Sequence, residues 1–165
     1  ATIAVSGGSL NINRTGNGWG FARGGGFSGP PTSLMTRFDF ANVTSGGVTN
    51  NAIVFAVGGG TTAGSASTSL TNSDAHSRIT FCFTATNGAF FVRDIAGSTN
   101  GTTTFSGSQT VLLVINNSGS ALNYRAPDGT EESVANDKFD IWVGNSRQIN
   151  EGTATTASQR LSYFK

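Results

Sequence analysis

Aromatic rings and arginines are the side chains of this sequence best suited to chemistry, and the usual catalytic groups are scarce. The chain has a single histidine, His76, and a single cysteine, Cys82. It contains no Gly-x-Ser-x-Gly nucleophile motif, no His-Glu-x-x-His zinc motif and no pair of cysteines for zinc. The residue types therefore point towards binding before they point towards catalysis.

The carboxylates are badly spaced for glycoside hydrolysis, which needs two of them flanking the scissile bond. Side chains along a strand alternate between its two faces, so a catalytic pair on one strand needs an even spacing. Glu131 and Glu132 are adjacent, and Asp137 and Asp140 are three residues apart. Each pair would face opposite sides of a strand, which disfavours a hydrolase.

A polysaccharide lyase acting by β-elimination needs less equipment than a hydrolase. It requires a tyrosine or histidine as acid or base, and an arginine or asparagine that neutralises the uronate carboxylate. His76, Tyr124 and Tyr163 could serve in this role. The lyase therefore remains an alternative function, and a structural or adhesive segment without a sugar ligand is a third.

Sugar binding uses aromatic rings for stacking and planar polar groups for the hydroxyls. Trp142 is the first stacking candidate, because alternation along 138–143 places it with Asp140 and opposite the apolar Phe139. A tryptophan on such a face is either covered by a loop or open to a ligand. The predicted ligand-binding residues are Trp142, Tyr124, Trp19, Arg78, Arg93, Asp140 and His76.

The charged residues indicate the nature of the ligand. Eight of the ten basic residues are arginine, and the formal net charge is +1. Arginine presents a planar fork of donors that matches an oxyanion bidentately, which lysine does not. This preference favours an acidic polysaccharide of the pectate or alginate type, and so small a net charge argues against nucleic acid as the partner.

Calcium is a possible structural ion, although no cofactor is required for binding. Asp128, Glu131 and Asp137 offer hard oxygen ligands in or near turns, which suits Ca²⁺. Pro127-Asp128-Gly129 is also an ordinary turn signal, so the same residues have a purely conformational interpretation.

Composition indicates the elements that must position these side chains. Gly, Thr, Ser and Asn make up 79 of the 165 residues, and there are 12 Phe but only one Met. Aromatic and β-branched residues fit strands, whereas Gly, Asn and Ser fit turns. Such a chain is neither a helical bundle nor a membrane span.

Alternating apolar and polar residues, bounded by Gly, Asn and Ser clusters, predict about ten strands. They lie at 9–14, 18–23, 33–43, 51–58, 78–86, 89–95, 109–116, 121–126, 138–143 and 159–165. We therefore expect residues 1–165 to form one all-β domain, an antiparallel β-sandwich of the jelly-roll type with paired ends.

Two hairpins and two long loops complete the predicted organisation. Asn87-Gly88 predicts a type I′ turn between strands 78–86 and 89–95. Residues 116–119 predict a second hairpin that joins 111–115 to 122–124. The glycine-rich segments 24–31 and 58–74 are predicted loops, suited either to function or to plain connection.

Several segments of the sequence resemble a known class of protein. They are Ser73-Asp-Ala-His-Ser-Arg-Ile-Thr-Phe81, Val114-Ile-Asn-Asn-Ser-Gly119, Ala126-Pro-Asp-Gly129, Asp140-Ile-Trp-Val-Gly144 and Gln159-Arg-Leu-Ser-Tyr-Phe-Lys165. Together they resemble β-sandwich ancillary modules attached to secreted bacterial polysaccharide lyases and related enzymes. The likeness covers roughly residues 75–165.

That resemblance implies a non-catalytic carbohydrate-binding module, which holds the catalytic domain of its parent chain on a polymer. The expected setting is extracellular and bacterial, with no membrane partner. The sequence begins with alanine instead of methionine, which suggests a mature or excised segment.

Overall fold

The computed structural model describes residues 2–13, 23–24, 29, 31–43, 52–60, 62–65 and 68–165. These residues contain fourteen strands and a 3₁₀ helix at Asn72–Asp74. The strands are β1 Thr2–Ser6, β2 Ser9–Asn13, β3 Arg23–Gly24, β4 Ser33–Phe40, β5 Ala52–Gly58, β6 Ala75–Phe83, β7 Phe90–Asp94, β8 Thr99–Asn100, β9 Gln109–Asn116, β10 Leu122–Arg125, β11 Glu131–Val134, β12 Lys138–Val143, β13 Ser146–Thr153 and β14 Tyr163–Phe164.

The strands pair into two large and two small antiparallel sheets. The four-stranded sheet has the order β13-β12-β9-β4, and the six-stranded sheet has the order β3-β14-β5-β6-β7-β8. The hairpins β1–β2 and β10–β11 form the two small sheets. The prediction of an all-β antiparallel fold is thereby confirmed, whereas the jelly-roll connection stays a prediction.

A hydrophobic core fills the space between the two large sheets. Ile79 and Phe81 of β6 share one face, as their period-two spacing predicts, and pack against residues of β9 and β12. The buried members of this core are Val57, Ile79, Phe81, Phe90, Val92, Val111, Leu113, Ile115, Phe139, Ile141, Val143, Ile149 and Leu161. Phe40 of β4 stacks on Phe81 with ring centroids 4.3 Å apart, so aromatic contacts join the sheets directly.

A second core lies on the outer side of the four-stranded sheet. The hairpin β10–β11 places Tyr124 and Val134 against Leu112, Val114 and Trp142. The even-numbered face of β12, which carries Asp140 and Trp142, is therefore covered. Because the hairpin covers that face, β9 and β12 are buried on both sides.

Strand pairing differs from the sequence prediction in two hairpins. Residues 116–119 do not join a hairpin, because β9 pairs with β12 and β4 while β10 pairs with β11. The turn between β6 and β7 has a positive φ at Gly88 alone, and a type I′ turn needs two such residues. Strands Thr2–Ser6, Thr99–Asn100, Glu131–Val134 and Ser146–Thr153 were not predicted.

The termini of the described chain do not pair with each other. β14 pairs with β3 and β5 in the six-stranded sheet, whereas β1 pairs with β2. The predicted pairing of the ends is therefore wrong. Among the described residues, no helix has the length and apolar character needed to cross a bilayer.

The glycine run at the end of β5 is a close-packing element. An added Cβ at Gly58 would lie 1.9 Å from the backbone oxygen of Asp74, and one at Gly59 would lie 2.4 Å from the Cβ of Arg160. The backbone N–H of Gly59 donates to the same Asp74 oxygen at 3.2 Å. The segment after β5 is thus fastened to the start of β6, and these glycines permit the approach.

The side-chain ammonium (Nζ) of Lys165 binds the next part of the predicted 58–74 loop. It donates to the backbone oxygens of Thr62, Ser65 and Thr68, at 3.2 Å for Thr62 and 2.6 Å for Ser65. The backbone of Lys165 itself pairs with Ala56 of β5. The described part of the predicted 58–74 loop is therefore tied to both β6 and the chain end.

Candidate functional site

The structure distributes the predicted site residues over three places. Tyr124, Asp140 and Trp142 meet in the core beneath the β10–β11 hairpin. His76 lies beside Asp137, which accepts a hydrogen bond from Ser158 in the segment between β13 and β14. Arg78 and Arg93 lie on the outer face of the six-stranded sheet. Trp19 lies outside the described residues.

A chain of hydrogen bonds joins the residues beneath the hairpin. The indole Nε1–H of Trp142 donates to the hydroxyl of Tyr124 at 2.8 Å, and that hydroxyl donates to Asp140 Oδ2 at 2.6 Å. Asp140 Oδ1 accepts the backbone N–H of Glu151 at 2.7 Å. Burial and the hydrogen bond to Asp140 raise the pKa of the Tyr124 hydroxyl, so it remains a protonated donor.

Arg147 compensates the negative charge of this cluster. Its Nη1 lies 2.8 Å from Glu132 Oε2 and 3.6 Å from Asp140 Oδ2. The guanidinium carbon lies 5.3 Å from the centre of the Trp142 ring, within the range of a cation–π contact. Burial lowers the pKa of Arg147, but the hydrogen bond and charge of Glu132 outweigh it and raise the pKa overall. We call Tyr124, Glu132, Asp140, Trp142 and Arg147 the hairpin network.

The hairpin network settles how Trp142 and Tyr124 are placed. Their exposed fractions are 3% and 5%, and both ring faces are covered by the hairpin and its partners. Of the two interpretations of Trp142, the covered one agrees with the structure. Neither ring offers a surface on which a sugar could stack, and Asp140 is fully buried as well.

His76 forms a second buried cluster with its neighbours. Its Nδ1 lies 2.8 Å from the hydroxyl of Ser77, and its Nε2 lies 3.6 Å from Asp137 Oδ1. Nε2 has no hydrogen-bond partner among the described residues. Asp137 in turn accepts the backbone N–H of Ser158 at 2.7 Å. The grouping of serine, histidine and aspartate resembles a catalytic triad in composition, but His76 and Ser77 are both fully buried, so no substrate can reach them.

Stability is expected to fall between pH 7 and pH 5 because of His76. Burial, which outweighs the attraction of Asp137, lowers the pKa of His76 below its ordinary value of 6.5. The unfolded chain therefore binds the proton more readily, and the free energy of unfolding decreases as the pH drops below about 6.5. Urea unfolding at a series of pH values measures this slope.

The matched variant for this prediction is His76→Gln, which should flatten the slope between pH 7 and pH 5. His76 is the only histidine, so no other side chain of that type can account for it. The pKa values of Asp74 and Asp128 are lowered by hydrogen bonds from Thr62 and Thr130, so these carboxylates act only at more acidic pH. An unchanged slope in the variant would contradict the assignment.

The three predicted calcium ligands do not meet. Asp128 accepts the N–H of Thr130 at 3.0 Å and its hydroxyl at 2.6 Å, which closes the turn between β10 and β11. Glu131 lies on the exposed side of that hairpin, and Asp137 is engaged with His76 and Ser158. In the part of the chain that the structure describes, no three His, Cys, Asp or Glu side chains form a group that could hold a metal.

The outer face of the six-stranded sheet brings two predicted binding residues together. Arg93 of β7 pairs with Thr80 of β6, and Arg78 precedes Thr80 by two residues. The arginines are therefore diagonal neighbours on one face, and such neighbours typically lie about 7–8 Å apart. Neither arginine forms an ion pair with a described carboxylate. We call Arg78, Thr80, Phe91, Arg93 and Asn100 the arginine face.

Phe91 is the aromatic residue of the arginine face, and it was not predicted. It pairs with Cys82 across β6 and β7, and its side chain is half-buried. Burial raises the pKa of the Cys82 thiol, although the charge of Arg93 opposes the shift. Alternation along β7 could have identified Phe91, since Phe90 and Val92 face the core while Phe91 and Arg93 face outward.

Asp94 follows Arg93 in sequence but does not neutralise it. It lies on the core side of β7 with an exposed fraction of 1%, and Oδ2 accepts the backbone N–H of Thr153 at 2.8 Å. The carboxylate is thus turned away from the arginine face, which keeps its positive charge.

An open depression of about 350 Å³ lies on the hairpin β10–β11, on the other side of the molecule. It is lined by Asn123, Glu131, Glu132 and Ser133. Two carboxylates in the lining make this surface unfavourable for a polyanion, so the arginine face is the better candidate.

No protein-family model, curated protein or solved structure matched the chain in the comparisons. The function is therefore inferred from the chemistry of the arginine face and of the two buried clusters.

Proposed function

We propose that this protein binds an acidic polysaccharide, of the pectate or alginate type, through its arginine face without cleaving it. In this proposal the domain is secreted by a bacterium and holds an appended catalytic domain on its substrate. The observation that carries the proposal is the pair Arg78 and Arg93 on one sheet face, with no described carboxylate paired to either.

The charge of this face suits a polymer that carries a negative group on each repeating unit. Arg93 is exposed and Arg78 is half-buried, and both side chains leave the same face of the sheet. Two arginines that are diagonal neighbours can engage two oxyanion groups of one extended polysaccharide, because such a polymer repeats its negative group along its length. Charge-assisted hydrogen bonds of this kind are about twice as strong as neutral ones.

The remaining side chains of the face suit the sugar rings. Phe91 offers an apolar surface for the C–H groups of a pyranose, and Asn100 opposite Arg93 offers an amide for its hydroxyls. Val54 pairs with Thr80 from the other side and is 47% exposed, which extends the apolar part of the surface. The proposal thus moves the stacking role from Trp142 and Tyr124 to Phe91.

Affinity electrophoresis of the protein in gels containing pectate or alginate tests this proposal. We expect retardation of the wild type, and an affinity lower by about tenfold or more for Arg78→Ala and for Arg93→Ala. Retardation should weaken as salt is added, because exposed charges are screened.

Arg37→Ala is the matched control, because Arg37 is an exposed strand arginine on the four-stranded sheet. It removes the same charge without touching the arginine face, so its affinity should stay within about twofold of the wild type. Equal losses from Arg37→Ala and Arg93→Ala would show non-specific charge attraction and refute the proposed site. Wild-type protein that no polymer retards would refute the function itself.

The lyase alternative predicts unsaturated uronate products in the same incubation. Two of its candidate bases, Tyr124 and His76, are buried in the hairpin network and beside Asp137, whereas the third, Tyr163 of β14, is half-buried. Measuring the ultraviolet absorbance of the reaction mixture separates the two functions, since product formation would reject a purely binding role.

A further inference from the structure

Arg78 is hydrogen-bonded to Thr155, a residue that follows the last strand of the four-stranded sheet. Its Nε donates to the hydroxyl of Thr155 at 3.3 Å. Thr155 follows β13, and its backbone N–H donates to the backbone oxygen of His76 at 2.6 Å. The hydroxyl is therefore fixed relative to β6, only two residues from Arg78, and it constrains the plane of the guanidinium group.

This hydrogen bond decides which edge of the guanidinium remains available. Nη1 and Nη2 of Arg78 have no hydrogen-bond or ion-pair partner among the described residues. An arginine can grip an oxyanion through Nε and one Nη or through both terminal nitrogens. With Nε engaged by Thr155, the free pair is the two terminal nitrogens, which give two parallel hydrogen bonds to one group.

We infer that Thr155 is a positioning residue, which presents the terminal fork of Arg78 end-on to an oxyanion group of the bound polymer. This inference rests on the proposed function of the arginine face. Thr155 does not touch the ligand; it lowers the conformational freedom that Arg78 loses on binding. Uronate carboxylates and sulfate esters both supply two oxygens in reach of such a fork.

Arg93 provides the internal comparison. It is exposed and has no described side-chain partner that fixes its plane. The two arginines therefore contribute differently: Arg78 as an oriented fork and Arg93 as a mobile charge. Replacing each by lysine keeps the charge and removes the fork, so Arg78→Lys should weaken binding more than Arg93→Lys does.

The experiment measures the affinities of Thr155→Val and Thr155→Ser for pectate, alginate and carrageenan. We expect Thr155→Val, which keeps the shape but loses the hydroxyl, to bind about three- to tenfold more weakly. Thr155→Ser should restore the wild-type affinity. In an Arg78→Lys background, Thr155→Val should cause no further loss, because both substitutions remove the same contact. Binding to pectate and alginate but not carrageenan assigns the oxyanion as a carboxylate, and the reverse assigns it as a sulfate.

A measurement without polymer tests the same contact in the wild-type protein. The Nε–H of Arg78 should exchange with solvent more slowly than that of Arg93 by nuclear magnetic resonance, and Thr155→Val should remove the difference. Equal exchange rates in the wild type would overturn the inference, whether or not any variant folds.

The failures of the two proposals are distinguishable. If Arg78→Ala loses affinity while Thr155→Val binds like the wild type, the binding function stands and the positioning role is wrong. Additive losses from Thr155→Val and Arg78→Lys would also overturn the positioning role. If no polymer retards the wild type, the proposed function fails and the inference fails with it.

Discussion

Replacing Asp140 by alanine should lower the free energy of unfolding by about 2–4 kcal/mol, because each buried donor left without an acceptor costs about 1–3 kcal/mol. Asp140 is fully buried and accepts hydrogen bonds from the Tyr124 hydroxyl and the Glu151 backbone. Without it, both donors lose their acceptor and Arg147 keeps only Glu132. Urea unfolding followed by tryptophan fluorescence measures the loss, since Trp142 belongs to the hairpin network.

Two variants make this first prediction specific. Asp128→Ala removes an exposed carboxylate from the turn of the same hairpin, and we expect at most about 1 kcal/mol from it. In a double-mutant cycle, Tyr124→Phe should cost less in an Asp140→Ala background than alone, because the shared hydrogen bond is already absent. A loss below 1 kcal/mol for Asp140→Ala would show that the network does not hold the hairpin.

Replacing Gly58 by alanine should lower the free energy of unfolding by about 1–3 kcal/mol, the usual range for overpacking. The new Cβ would lie 1.9 Å from the backbone oxygen of Asp74 and 2.9 Å from the Cα of Ala75. Backbone atoms cannot rotate away, so β5 and the start of β6 must separate. Urea or thermal unfolding measures the effect.

Gly101→Ala is the matched control for Gly58→Ala. The three atoms nearest to a Cβ added at Gly101 all belong to side chains, the nearest being Gln148 Oε1 at 3.0 Å. Those atoms can shift, and alanine also reduces the entropy of the unfolded chain. We therefore expect a change near zero at Gly101. Similar losses at both positions would mean that the close approach of Gly58 to the Asp74 backbone is not the cause of the loss.

Period-two alternation predicted the inner faces of the large sheets well. In β6, Ile79 and Phe81 are buried in the core, while Arg78 on the opposite face is only half-buried. In β12, Phe139 and Ile141 are buried as predicted. Alternation succeeds here because one face of each strand packs on the other sheet. The sequence of the strand alone shows which face is apolar.

The hairpin network could not be predicted by the same reasoning, because its contacts join distant parts of the chain. The sequence shows that Trp142 shares a face with Asp140, but not that β10–β11 folds over them. The continuous apolar run 111–115 was the available signal, since strands buried on both faces lose their alternation. Thr155 escaped prediction for a related reason: nothing in its sequence neighbourhood indicates a bond to Arg78.

The two-sided burial of β9 and β12 has a consequence for how this chain can vary. In β7, Phe91 and Arg93 face outward, so substitution there can change the surface without disturbing a core. In β9 and β12 neither set of alternate positions has that freedom, since one packs between the large sheets and the other under the hairpin. Sequence divergence, whether natural or selected in a library, is therefore more constrained in β9 and β12 than on the outer face of β7, where new ligand preferences can arise.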